Sequence, residues 1–167
     1  LLENHSNLII LRTFSKAMGA AGIRLAYTLG NKPFIRQLKK LALPFIINSF
    51  TEHAFSVALE NRDFLQAIEE NVAYLRKEKD LLYKEIVQMN KPERLTVTPS
   101  KANFLLIQQR DPSDSEELYK KFITEKIQVR KIKHPNLKNA LRLTVGRKEE
   151  NQALLAIVKS HFNENRL

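Results

Sequence analysis

The chain has 167 residues, of which 43% are hydrophobic and 28% are charged, the balance expected of one globular domain or two small ones. It contains no cysteine, which excludes disulfides and thiolate metal sites and favours a cytoplasmic location. The apolar runs are shorter than the ~20 residues of a membrane-spanning helix, and the N-terminus lacks a signal-peptide layout, so we expect no membrane association.

The net charge of +10 is compatible with nucleic-acid binding, because Lys and Arg contacts to phosphates need no sequence code. The charges are spread along the chain, however, and in the segment 75–85 Lys alternates with Glu as on a solvated helix face. We therefore expect no nucleic-acid partner. A basic nucleic-acid module stays as an alternative, and its affinity would fall steeply with salt.

The first part of the chain predicts a strand, a loop, a second strand and two helices. The run "NLIILRTFS" is typical of a strand buried on both faces of a parallel sheet, and "LAYTLG" predicts the next strand, ending at Gly30. Pro33 suits the first turn of a helix over "FIRQLKKL", which ends before Pro44. A second helix is predicted over "FTEHAFSVALEN".

A long amphipathic helix is predicted from Asp63, which we expect to be its N-cap. The segment 90–93 contains a proline that breaks this helix and predicts a domain boundary. Beyond it, the strand-like segments "LTVTPSKANFLLIQQ", "IQVRKI" and "ALRLTV" alternate with the helices "DSEELYKKFITEK" and "KEENQALLAIVKSHF". This alternation indicates an α/β or α+β unit. The apolar face of the long helix comprises Phe64, Ile68, Val72, Leu75, Leu82, Ile86 and Met89.

The loop "TFSKAMGAAGIR" combines groups that suit a phosphorylated aldehyde. Lys16 lies just past the predicted buried strand, where a partly buried amine loses its proton more readily and forms an imine. Ser15 offers a hydroxyl and Arg24 a planar guanidinium for a phosphate. Gly19 and Gly22 let the backbone turn back on itself. From spacing alone, a surface loop with a solvated lysine is the simpler interpretation.

The run "NLIILRTFSKAMGAAGIRLAY" resembles the pyridoxal-phosphate lysine motif of fold-type I aminotransferases. Within that superfamily the chain resembles histidinol-phosphate aminotransferase most, because the segments 102–107, 127–132 and 140–151 also fit that subgroup in the same order. The resemblance implies transamination in histidine biosynthesis with pyridoxal 5'-phosphate as cofactor. The implied reactants are a phosphorylated amino alcohol as amino donor and 2-oxoglutarate as the 2-oxo acid.

The resemblance also implies roles for individual residues. Lys16 matches the Schiff-base lysine, which is the catalytic residue, and Ser15 and Arg24 match the ligands of the cofactor phosphate. The four histidines show no metal-ligand spacing, so we expect no metal site.

Three further residues are expected to bind substrate. Arg142 matches the arginine that receives the substrate carboxylate, and the apolar residues of "LRLTV" share one strand face, so that Arg142 projects on the other. Arg130 matches a second arginine, which we assign to the phosphate of a phosphorylated substrate. Asn103 could line the same site. The alternatives are charged residues at a sheet rim and an asparagine that ends a turn.

In the resembled superfamily the lysine lies well past the middle of the chain, whereas here it is residue 16. The resemblance therefore implies a C-terminal part of an α/β enzyme: residues 1–48 as a remnant of the large-domain parallel sheet, 49–90 as connecting helices and 91–167 as the small α/β domain. The aspartate that holds the pyridine nitrogen would be missing, so the chain alone is expected not to transaminate.

Besides the nucleic-acid module, three alternatives to this function stay open. The parent could be another class I or II aminotransferase acting on aromatic substrates, or an enzyme similar to threonine-phosphate decarboxylase. The chain could also be a dimerisation fragment without catalysis.

We predict that the chain associates in solution, as a homodimer or by rearranged or swapped packing. A remnant of the large domain cannot bury both faces of its strands, which leaves apolar surface and open strand edges. Sedimentation at micromolar concentration is expected to show a species larger than one chain, and a compact monomer would contradict the prediction.

Overall fold

A computed structural model describes residues 1–89 and 91–164, which contain both helices and strands. The chain forms two units, Leu1–Val72 and Ala73–Leu167. Each unit has its own antiparallel sheet. The mixed α/β class predicted from the sequence is confirmed, and the three-part domain division stays a prediction. Across the described residues, no helix is both long and apolar enough to cross a bilayer.

In the first unit, strands β1 (Ile9–Thr13) and β2 (Ala26–Gly30) form a two-stranded antiparallel sheet. The expectation of parallel pairing for this strand, buried on both faces, was wrong for the described chain. Parallel neighbours need a crossover, whereas here the chain returns through one loop and pairs directly with the strand it has just left. Apolar side chains of the pair stay at the surface, with Leu11 76% exposed.

Two helices lie wholly within the first unit, α1 (Lys32–Leu41) and α2 (Ser49–Glu60). Pro33 lies in the first turn of α1, as predicted, where its missing N–H costs no helical hydrogen bond. Asn31 and Asn48 are the N-caps, and the side-chain oxygen of each accepts a hydrogen bond of 2.8 Å from a backbone N–H of the first turn.

The long predicted helix is α3 (Arg62–Gln88), which is continuous through 27 residues. Its N-cap is Asn61 and not Asp63, because Asn61 Oδ1 accepts the hydrogen bond from Phe64 N at 3.0 Å. Asp63 is the second residue of α3 and lies in its first turn, where its carboxylate interacts favourably with the helix dipole. Asn90, in the predicted break, lies outside the described residues.

The sheet of the second unit has four antiparallel strands in the order β3-β4-β6-β5, and two helices follow β4 and β6. The predicted strand and helix segments beyond residue 93 are all found, although only two residues of "IQVRKI" pair as a strand. The elements are β3 (Leu95–Thr98), β4 (Phe104–Gln109), α4 (Pro112–Thr124), β5 (Arg130–Lys131), β6 (Ala140–Thr144) and α5 (Lys148–Glu164).

The core of the second unit lies between one face of this sheet and the helices. Alternate residues of β4 are buried, and the residues between them are half-buried. Each fully buried Leu or Phe side chain contributes about 1.5–3 kcal/mol, so this layer stabilises the unit and orients the opposite face. From α3 the core includes Leu82 and Ile86. From the sheet and the other helices it includes Leu105, Ile107, Leu118, Phe122, Leu141, Leu143, Leu154, Val158 and Phe162.

A histidine is enclosed in this core. His161 has no exposed surface, and neither ring nitrogen has a hydrogen-bond partner among the described residues. Its ring packs edge-on against Phe162, with centroids 4.9 Å apart. Burial lowers the pKa of His161 below its usual 6.5, although the Glu117 carboxylate 3.8 Å from Nδ1 acts in the opposite direction.

We predict that acidification destabilises the second unit through His161. Because the fold lowers this pKa, the unfolded chain binds the proton at a higher pH than the folded chain does. The free energy of unfolding therefore falls as the pH drops below about 6.5, by at most about 1.4 kcal/mol per pH unit from this group. Urea unfolding at a series of pH values measures the slope.

The variant His161→Gln should lose this part of the pH dependence even if it is less stable at neutral pH. His53→Gln is the matched control, because His53 is exposed on α2 and should keep the wild-type slope. Equal slopes for His161→Gln and wild type would contradict the prediction.

Candidate functional site

The predicted serine, lysine and arginine of the first unit lie at one end of the β1–β2 sheet. The strand pairing is continued by a hydrogen bond of 3.3 Å from Phe14 N to Leu25 O. This hydrogen bond closes the base of the loop. Ser15 follows Phe14 on one side of the loop, Arg24 precedes Leu25 on the other, and Lys16 follows Ser15. The strand pairing thus places the backbone of Arg24 beside that of Ser15, although residues 16–23 lie between them in the sequence.

Two residues give the loop its path. Gly19 has φ 63°, a left-handed conformation that favours glycine, and its N–H donates to Lys16 O at 3.1 Å. Gly22 lies in a short 3-10 turn with open space around its Cα, so only one of the two glycines is needed for the turn. Arg24 is also left-handed, at φ 59°, and its Nη1 donates to Ala21 O at 3.0 Å.

The side chains of this loop end carry the donors that a phosphorylated aldehyde needs. Thr13 Oγ1 donates to Ser15 Oγ at 2.8 Å, so the Ser15 hydroxyl retains its own proton to donate to a phosphate oxygen. The Arg24 guanidinium supplies a fork of further N–H donors, and Lys16 supplies an amine. Lys16 is exposed and not partly buried as predicted, because β1 itself lies at the surface.

Phe14 is a residue that the sequence analysis did not single out. Its ring lies 4.4 Å from that of Phe55, which is 5% exposed, and 5.4 Å from that of Tyr27. Aromatic pairs of this kind are worth about 0.5–1.5 kcal/mol beyond the area they bury. Phe14, the residue before Ser15, is therefore anchored to α2 and β2. An aromatic residue directly before Ser-Lys was the available signal.

In the second unit, Arg130 and Arg142 are direct cross-strand partners on β5 and β6. Both project from the sheet face opposite the core, since Arg142 alternates with the buried residues of β6 as predicted. The Arg142 Cζ lies 5.3 Å above the centre of the Phe104 ring, and its Nε is buried without a hydrogen-bond partner in the described chain. Facing like charges destabilise a sheet, and an anion between them would remove that cost.

Asn103 lies beside this pair through its backbone. Its carbonyl accepts a hydrogen bond of 3.0 Å from Val145 N, which extends the pairing of β4 with β6, and the residue itself is exposed. The next residue, Phe104, makes the contact with Arg142. Phe104 was not predicted from the sequence to belong to the site, although it directly follows Asn103.

The turn after β6 is held by a buried polar network. Asn151 Oδ1 accepts from Gly146 N at 2.9 Å, while its Nδ2 donates to Gly146 O at 3.0 Å and to Glu78 Oε2 at 2.9 Å. Asn151 and Glu78 are 5% and 8% exposed. Because buried polar groups need partners, this network joins α3, α5 and the end of the strand that carries Arg142.

Two more contacts support the same turn. Glu150 Oε2 accepts from Arg147 N at 2.7 Å, and this backbone bond, followed by the Arg147 guanidinium, lowers the pKa of Glu150. Lys148 N donates to Tyr74 Oη at 2.9 Å. The N–H groups at residues 146–148 are therefore all satisfied by side chains.

The chain matches the family model of aminotransferase class I and II over residues 1–158. It is 34% identical over 158 residues to the histidinol-phosphate aminotransferase of Clostridium novyi, and 35% identical over 159 residues to that of Bacillus subtilis. Both alignments cover 95% of this chain, but only 42% and 41% of those relatives. The chain thus spans less than half the length of these curated relatives.

Solved structures give the same result for the fold. The histidinol-phosphate aminotransferase from Clostridium acetobutylicum superposes with a TM-score of 0.77 at 26% identity, covering 98% of this chain and 48% of that one. The L-threonine-O-3-phosphate decarboxylase from Porphyromonas gingivalis gives 0.70 at 23% identity, covering 97% and 49%. The second similarity shows the fold alone. The α/β fold class predicted from the resemblance is confirmed.

We predict that Asn151→Ala destabilises the second unit by about 2–4 kcal/mol, because it removes the bonds to Gly146 and leaves the buried Glu78 carboxylate without its amide donor. Urea unfolding followed by far-ultraviolet circular dichroism measures the loss. Gln152→Ala is the matched control, since Gln152 is the exposed neighbour on α5. A loss as small as that of the control would show that the network contributes little.

Proposed function

Because the chain belongs to the aminotransferase class I and II family, we propose that it is part of a pyridoxal-phosphate-dependent aminotransferase of the histidinol-phosphate type. The observation that carries the proposal is the shared position of Ser15, Lys16 and Arg24 at the end of the β1–β2 sheet. The aminotransferase names and identities of the two relatives described above support it.

Each group of the loop has a proposed task. Pyridoxal phosphate, when bound, supplies the electron sink that stabilises negative charge at the substrate Cα. The Nζ of Lys16 would hold the cofactor and would move the proton at the substrate Cα. The Arg24 guanidinium and the Ser15 hydroxyl would hold the phosphate by charge-assisted hydrogen bonds. Phe14 keeps this loop end in place through its contact with Phe55.

The arginine pair of the second unit is proposed to bind the substrate. Arg142 would receive the α-carboxylate of the 2-oxo or amino acid, and its unpartnered Nε and its stacking on Phe104 support an anion there. Arg130, exposed beside it, would bind the phosphate of a phosphorylated amino donor. Asn103 would line the same site. The proposed reaction moves an amino group from a phosphorylated amino alcohol to 2-oxoglutarate.

Two neighbouring activities are the main rivals. An aromatic aminotransferase would share the residues that bind the cofactor. It would differ in its substrate, which would offer Arg130 no phosphate group. A decarboxylase acting on an amino-acid phosphate is supported by the similarity of fold alone. Substrate competition assays on the longer protein would separate them, because only the histidinol-phosphate type requires the phosphorylated amino alcohol.

We also propose that the parent enzyme is a cytoplasmic homodimer and that this chain alone does not transaminate. Apolar side chains at the surface of the first unit support association: Phe45 is 97%, Phe50 82% and Leu41 80% exposed. A chain that acts only in dimerisation would use the same surface without taking up cofactor.

We predict that pyridoxal phosphate labels Lys16 in preference to other lysines. The chain is incubated with the cofactor and reduced with borohydride, and the modified peptides are mapped by mass spectrometry. The Lys16 amine is exposed, and its neighbours Ser15 and Arg24 offer hydrogen-bond donors for the cofactor phosphate. The cofactor should therefore be retained at Lys16 longer than at other lysines. Arg24→Ala should reduce this preference by about tenfold, as expected for loss of one charge-assisted contact.

Lys39→Ala on α1 is the control for an exposed lysine away from the loop, and it should leave the Lys16 label unchanged. Label spread evenly over surface lysines, with no effect of Arg24→Ala, would show that this chain has no formed cofactor site and would favour the dimerisation alternative.

A further inference from the structure

The second unit contains a pocket that has no part in the proposed reaction. It has a volume of about 500 Å³ and lies between α3 and the turn that joins β3 to β4. The side chains that give it chemical character are Arg76, Lys79 and Tyr83 from α3, and Ser100 and Lys101 from the turn. Two separate elements thus contribute cations and hydroxyl groups to one cavity.

Lys79 is the unusual member of this pocket. Its side chain is only 9% exposed, whereas lysine is rarely buried without a close partner. Its Nζ lies 3.4 Å from Asp80 Oδ1, but the Asp80 side chain is 67% exposed. An ion pair with a solvated carboxylate stabilises little, and it leaves the Lys79 ammonium group with further N–H donors. An acceptor inside the pocket would give this ammonium group a second partner.

The charge of the lining indicates the ligand. Three cationic side chains, those of Arg76, Lys79 and Lys101, stand against the single carboxylate of Asp80, which leaves a net charge of +2. A phosphate group carries about −1.5 to −2 near pH 7 and offers three strong acceptor oxygens. A carboxylate offers one charge and two oxygens, so it would match only part of this lining.

The hydroxyl groups fit the same ligand. Ser100 Oγ accepts a hydrogen bond from Ala102 N at 3.1 Å, which leaves its proton to donate. Tyr83 lines the same pocket. We propose that this pocket binds a phosphate group, with Lys79 as the central ligand and with Arg76, Ser100 and Lys101 around it.

The test uses the whole 167-residue chain, labelled with ¹⁵N and titrated with inorganic phosphate under amide-detected NMR. Saturable shifts are expected at residues 79, 100 and 101. Lys79→Met should weaken the affinity by about tenfold, the effect of one charge-assisted contact. Lys77→Met removes the same charge from an exposed position on the same helix and should change the affinity by less than about twofold.

Several outcomes would overturn the proposal. These are non-saturable shifts, an equal loss in Lys77→Met, or acetate binding as tightly as phosphate. If circular dichroism shows that Lys79→Met does not fold, Lys101→Gln on the turn replaces it. That variant should weaken phosphate binding by about fivefold, since its contact is more exposed. An unchanged affinity in Lys101→Gln would then count against the site.

Discussion

The second unit depends on one constraint, the two-residue alternation of β4 and β6. Leu105 and Ile107 on one strand, and Leu141 and Leu143 on the other, must all face the helices for the core to close. A shift of register by one residue would bury Arg142 in that core and expose the apolar set. The packing that stabilises the unit therefore also decides that the two arginines share the opposite face.

The first unit carries the candidate cofactor residues on a surface loop. Three features together set the path of the loop: the hydrogen bond from Phe14 N to Leu25 O, the contact between the Phe14 and Phe55 rings, and the left-handed backbone of Arg24. A left-handed non-glycine residue costs about 1–2 kcal/mol, so the contacts around it must offset that cost.

Buried polar groups give the second unit its specificity. The Glu78–Asn151–Gly146 network joins two helices to the end of β6, whereas the enclosed His161 ring nitrogens have no hydrogen-bond partner among the described residues. Satisfied groups specify one arrangement of the chain, because each bond is lost when the partners move apart. Unsatisfied groups mark positions where a proton or an anion changes the energy of the fold.

The sequence by itself determined the kind and order of the elements, the family and the identities of the candidate site residues. Apolar spacing, prolines and the Ser-Lys and arginine motifs are local signals, so they can be recognised in the sequence alone. Only the tertiary structure decided that β1 pairs antiparallel with β2, that Lys16 is exposed, that Asn61 caps α3, and that Phe14 and Phe104 support the candidate site. These features depend on contacts between residues distant along the chain, or on competition between adjacent caps, and neither is encoded in periodicity.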